Sequence, residues 1–172
     1  MNNAFGFLAS AAIYLSAGAA VAEQPADARL DKAVGYFQSM CTGTGGDLKA
    51  SIKALSDSAD FGDEKITDAD PLVYGSFTGP DQINASVKIG FDDILDHCTI
   101  IVKDSGDAMQ TANDIALRLV GGDAEQLLNQ DGFGDYPDGG YVVRMQKGAA
   151  MVAPLGAGVS ADIVHINYFP EG

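Results

Sequence analysis

The chain has 172 residues, of which 24 are acidic and 10 basic, so its formal net charge is −14. Hydrophobic residues make up 47% of it, which suits one compact domain with a packed core and argues against general disorder. The strong negative charge argues against nucleic acid as a partner, because phosphate groups would be repelled.

The N-terminal segment has the pattern of a cleavable signal peptide. Residues 4–22 carry no charge and end in Ala20-Val21-Ala22, a small-x-small sequence that signal peptidase accepts. The alternative is a membrane anchor, but the segment is rich in alanine and glycine and no basic cluster follows it. We therefore expect residues 1–22 to be removed and residues 23–172 to form one compact domain. The mature protein would be periplasmic or secreted, without stable membrane insertion.

The chain has two cysteines, Cys41 and Cys98, and an even pair in an exported protein predicts a disulfide. An apolar stripe at helical spacing ends at Cys41, and Cys98 begins a β-branched run. The bridge would therefore join the first helix to a strand. The alternatives are a catalytic thiol and a redox pair, but the first lacks an electropositive setting and the second lacks close spacing.

The first half of the mature chain predicts two helices and three strands. The first helix covers about 26–41, and Asp47 caps a second one. The acidic stretch 57–70 has no periodicity, and we interpret it as a loop. Strands are expected at 72–78, 83–91 and 98–102. The second of these alternates apolar and polar residues, which indicates one buried and one wet face of the sheet.

The second half predicts the same order of elements. A helix covers about 107–120, and Asp123 with Gln126 forms a capping box for a short helix through Leu128. Three strands follow, near 141–147, 149–155 and 161–169. The fold class expected is thus α+β, with two ααβββ units at 23–104 and 107–170 and antiparallel strands packed against helices.

Two short strings align between these halves. Gly45-Gly46-Asp47 matches Gly121-Gly122-Asp123, and Phe61-Gly62-Asp63 matches Phe133-Gly134-Asp135. Internal duplication and chance similarity both account for the match, since glycine and aspartate are abundant in this chain.

An acidic, glycine-rich loop offers candidate ligands for Ca²⁺, namely Asp131, Asp135 and Asp138. Their spacing does not match that of an EF-hand loop, and solvated turns use the same residue types. The two histidines are far apart and neither has ligand spacing, so no transition-metal site and no cofactor are expected.

His165 is the one candidate catalytic residue. In its strand Val164, Ile166 and Tyr168 share one face, which leaves His165 with Asn167 on the other. A catalytic role requires His165 to line a groove with acids nearby; otherwise it is a partly exposed strand histidine.

No catalytic serine elbow and no phosphate-binding loop occur in the sequence. We therefore expect an exported, non-enzymatic acidic domain that binds a partner protein or a small ligand. One alternative is a small Asp/His hydrolase or lyase centred on His165. The other is an adhesion or scaffold domain stabilised by Ca²⁺.

Overall fold

The structure is a computed structural model that describes residues 28–92, 95–121, 127–130 (backbone only), 139–155 and 162–171. Its helices are α1 (Ala28–Tyr36), a π-helix (Phe37–Thr42), α2 (Leu48–Ser56) and α3 (Ala108–Leu119). Its strands are β1 (Gly62–Ala69), β2 (Leu72–Thr78), β3 (Ile83–Ile89), β4 (His97–Val102), β5 (Leu127–Gln130), β6 (Gly140–Met145), β7 (Gly148–Pro154) and β8 (Val164–Phe169).

The eight strands form one antiparallel sheet in the order β1-β2-β3-β4-β8-β7-β6-β5. Within β1–β4 and within β5–β8, each strand pairs with the next one along the chain. The two groups meet where β4 pairs with β8, with Cys98 opposite Tyr168 and Val102 opposite Val164. The α+β class and the antiparallel sheet predicted from the sequence are confirmed.

The described helices pack on one face of the sheet, which we call the helix face. Alternate strand residues point to this face and form a continuous apolar core with the helices. Its largest fully buried side chains include Phe37, Leu55, Ile100, Ile115 and Ile166. We call the opposite side of the sheet the open face.

Two aspartates begin helices as the sequence predicts. The Asp47 carboxylate accepts a hydrogen bond from the Ala50 amide, and the Asp107 carboxylate accepts one from the Gln110 amide, each at 3.0 Å. These contacts satisfy an amide that has no partner within the first helical turn, and they fix where α2 and α3 start.

The predicted disulfide between Cys41 and Cys98 is present. Its Cα atoms are 5.5 Å apart, and both residues are fully buried. Cys41 lies in the π-helix that continues α1, and Cys98 lies in β4. The bridge therefore attaches the N-terminal helical segment to the centre of the sheet, and the described residues contain no free cysteine.

Each half of the sheet has four strands, not the three that the sequence predicted. The stretch 57–70, interpreted as a loop, contains β1. All eight residues of β1 are exposed, so it has no apolar alternation from which a strand could be inferred. The predicted short helix through Leu128 is also wrong at its end, because Leu127 and Leu128 pair with β6 in β5. That pairing outweighs the local helix signal.

The strand order is symmetric about the contact between β4 and β8, but an internal duplication is not confirmed. Gly45 and Gly121 both have positive φ angles, of 69° and 66°. The second aligned string, Phe133-Gly134-Asp135, lies outside the described residues. The duplication stays a prediction.

The predicted signal segment, residues 1–22, also lies outside the described residues. In the ranges that the structure covers, no helix is both long enough and apolar enough to cross a membrane. Removal of the segment stays a prediction.

Candidate functional site

Two parallel rows of mainly polar side chains cross the open face. In the first, strand register places Thr78 beside Asn84, Asn84 beside Ile101, and Ile101 beside His165. We call these four residues the Asn84 row. Because neighbouring strands lie about 4.8 Å apart, the row extends roughly 14 Å across four strands. The sheet thus brings His165 onto the same surface as residues far from it in the chain.

The second row lies two residues further along each strand and consists of Ser76, Ser86, Thr99 and Asn167; we call it the Ser86 row. The Thr99 hydroxyl donates to Asn167 Oδ1 at 2.7 Å, and both residues are only 2% exposed. No buried side-chain nitrogen or oxygen in the described part of the chain lacks a hydrogen-bond partner. Since unbonded buried polar groups are costly, this bonding holds the row in one arrangement.

A groove with a volume of about 700 Å³ lies over the open face and extends from β1 to β8. Groups that both donate and accept hydrogen bonds line it: the hydroxyls of Tyr74, Ser76, Thr78 and Ser86, and the amide of Asn84. This volume lies within the usual range for small-molecule sites, about 300–1,000 Å³. We call this feature the open-face groove.

Lys103, at the wall of the open-face groove, is hydrogen-bonded to the uncharged side chain of Asn84. In the orientation of the Asn84 amide that makes both hydrogen bonds, Nδ2 donates to the Ile83 carbonyl and Oδ1 accepts from Lys103 Nζ at 2.7 Å. Lys103 is half-buried, and Lys65 lines the groove from β1. The groove thus has ammonium groups as well as hydroxyls and an amide.

His165 lines the open-face groove, on the side of the strand that the sequence predicted. Two carboxylates line the same groove, those of Asp63 and Glu64. Both acids belong to β1, four strand positions from β8, which corresponds to roughly 19 Å along a flat sheet. His165 therefore lines a groove, as a catalytic role requires. Such a role also requires acids close to His165, but these two acids lie at the opposite end of the groove.

The second histidine, His97, is buried on the open face in β4. Its Nδ1–H donates to the Leu95 carbonyl at 2.6 Å, and its ring centre lies 5.7 Å from that of Phe169. Burial lowers the pKa of His97 below 6.5, because the charged imidazolium loses hydration, and the charge of nearby Lys88 adds to the effect.

We expect His97 to destabilise the protein at acid pH. The unfolded chain takes up a proton at pH about 6.5 while the folded state resists it, so the free energy of unfolding falls as pH drops below that value. Urea unfolding from about pH 7 to about pH 5 measures the slope. His97→Phe, which keeps a ring beside Phe169, should flatten it; an unchanged slope would exclude His97 as the cause.

The candidate calcium ligands Asp131, Asp135 and Asp138 lie outside the described residues, so calcium binding there stays a prediction. Among the residues that are described, no group of three or more His, Cys, Asp or Glu side chains is placed to hold a metal ion. The two cysteines are joined to each other.

Comparisons of this chain with protein-family models, with curated proteins and with solved structures gave no match.

Sequence reasoning identified only part of the open-face groove. The alternation in β3 predicted a wet face for Asn84 and Ser86, and both line the groove, but Asn84 is half-buried and Ser86 is only 8% exposed. Ser76 and Lys103 were missed because neither lies in a motif: Ser76 is placed by its pairing with Ser86, and Lys103 reaches Asn84 through a side-chain hydrogen bond. The alternation of β2, in which Val73, Gly75 and Phe77 are buried, was the available signal for Ser76.

Proposed function

We propose that this protein is an exported, non-enzymatic domain that binds a small polar ligand in the open-face groove. The observation that carries the proposal is the groove itself, about 700 Å³ in volume and lined by hydroxyl, amide, ammonium, imidazole and carboxylate groups. The volume of this groove is typical of small-molecule sites, whereas a stable protein partner usually covers about 800 Å² of each surface. A small ligand is therefore favoured over a partner protein.

The floor of the groove supports binding because it is fixed before a ligand arrives. The helix face of the same strands is packed against the apolar core, and the Thr99–Asn167 hydrogen bond lies next to Ser86, which lines the groove. A site whose polar groups are already positioned loses little side-chain entropy when it binds.

Export is supported by two features. The N-terminal segment has the signal-peptide pattern, and the buried Cys41–Cys98 disulfide is of the kind that forms in oxidising compartments. Detection of the processed chain in a periplasmic or culture-medium fraction, with Glu23 as its first residue, is the direct check.

Binding can be tested by a thermal-shift screen of the purified exported protein against sugars, amino acids, organic acids and nucleotides. A ligand present at a hundred times its Kd should add about 2.7 kcal/mol to the free energy of unfolding. The variant Ser76→Trp places a large ring in the groove and should abolish the shift. Ser56→Trp, at the exposed end of α2, is the matched control and should keep it. Equal shifts in both variants, or no ligand in the screen, would overturn the proposal.

A second candidate function, that of a small Asp/His hydrolase or lyase centred on His165, is favoured by one observation: His165 lines the groove. It predicts turnover of an ester, glycoside or phosphate substrate that His165→Ala removes. If no substrate of such a panel is turned over, or if the variant remains active, His165 is not a catalytic base.

A further inference from the structure

The acidic residues of this chain avoid most of its sheet. The chain has 24 aspartates and glutamates, yet none lies within β2 to β8, and the strand acids are all in the edge strand β1. The other acids that the structure describes lie in helices, turns and loops. Charges more than about 8 Å away are strongly screened at physiological ionic strength, so nearby groups dominate the potential in the groove.

Those nearby groups include lysines that have no carboxylate partner. Within the described part of the chain, neither Lys65 nor Lys103 forms an ion pair, although Lys32 and Lys53 on the helical side each pair with an aspartate. The groove is lined by two ammonium groups, Lys65 and Lys103, and by two carboxylates, Asp63 and Glu64, so the position of each charge decides which ligand is favoured. Lys103 instead contacts the neutral Asn84 amide, which leaves its positive charge uncompensated.

The two acids at the groove do not favour a cationic ligand over an anionic one. Asp63 and Glu64 belong to β1, every residue of which is exposed, so water screens their charge. Lys103 is half-buried and lies beside the Asn84 row, away from β1 in the sheet order. A charge that is partly removed from water acts more strongly on a ligand than an exposed one.

We propose that the groove binds an organic oxyanion, whose carboxylate or phosphate group contacts Lys103 and the hydroxyls of Ser76 and Ser86. This inference depends on the proposed function, since it names the ligand class of the same site. Lys103 Nζ has three hydrogen-bond donors, one of which is used by Asn84 Oδ1, and the serine hydroxyls add further donors. Charge-assisted bonds to an oxyanion are stronger than those that a neutral sugar makes.

Amide chemical shifts of the isotope-labelled exported protein test the inference, with citrate and inorganic phosphate as anionic probes, glucose as the neutral probe and spermidine as the cationic one. We expect an anionic probe to shift the signals of Ser76, Asn84 and Ser86. Citrate and phosphate separate a carboxylate from a phosphate preference. Lys103→Gln should weaken that binding at least tenfold, and Lys103→Arg should largely restore it.

Lys53→Gln is the matched control, because it removes the same charge from α2 on the helix face and should leave affinity unchanged. The melting temperature of Lys103→Gln shows whether the variant is folded. If glucose or spermidine shifts these signals and neither anion does, the oxyanion inference is overturned while the proposed function stands. If no probe shifts them, the inference is also overturned, and the broader screen decides the proposed function separately.

Discussion

Replacing Cys41 and Cys98 together by alanine will lower the free energy of unfolding by about 4 kcal/mol. The two residues are 57 positions apart, and a bridge over that length strongly restricts the unfolded chain. Both are also fully buried, where they attach the π-helix to β4. Most domains are stable by only about 5–15 kcal/mol, so the variant will lose a large share of its stability.

Urea unfolding of the purified protein with and without a phosphine reductant measures this effect. Reduction should lower the midpoint of the wild type close to that of the double alanine variant, and it should not move the variant itself. Before reduction the wild type should contain no titratable thiol. A reduced wild-type protein with an unchanged midpoint would show that the bridge contributes nothing to stability.

Ile100→Ala should destabilise the protein by about 4 kcal/mol, within the range usual for such truncations in a core. Ile100 is fully buried in β4, opposite Ala85 of β3 and Ile166 of β8, so the removed atoms leave a cavity under the helices. The central position of β4 in the sheet limits how far the neighbouring strands can relax into it.

The neighbouring residue provides the matched control. Ile101 is half-buried and points to the open face, so Ile101→Ala should cost only about 1–2 kcal/mol. Urea unfolding of the two variants gives both values. Equal losses would contradict the assignment of the two faces of β4.

The sequence predicted those elements whose residues show a local pattern. The alternation in β3, the cap at Asp47 and the disulfide needed no knowledge of long-range contacts. Strand β1 was missed because all of its residues are exposed, so apolar and polar residues do not alternate along it. β5 was missed because its pairing with β6 is set by residues beyond the local window.

For the candidate site, the sequence placed His165 and Asn167 on one side of their strand, and the structure agrees. It did not indicate that Asn84 and Lys103 are neighbours, or that a groove covers them. A ligand site of this kind is made by strand order, because single residues from several strands contribute one group each. Composition and motif spacing carry no information about such a surface.

The contact between β4 and β8 also sets the order in which this protein can be assembled. The two strands form the middle of the sheet, yet Cys98 and its partner Tyr168 are separated by 70 positions of chain. Until residues 164–169 of β8 have been synthesised, no strand connects β1–β4 with β5–β7. Pairing at the centre of the sheet therefore has to wait until residues 164–169 have been synthesised, and such contacts between distant parts of a chain form slowly.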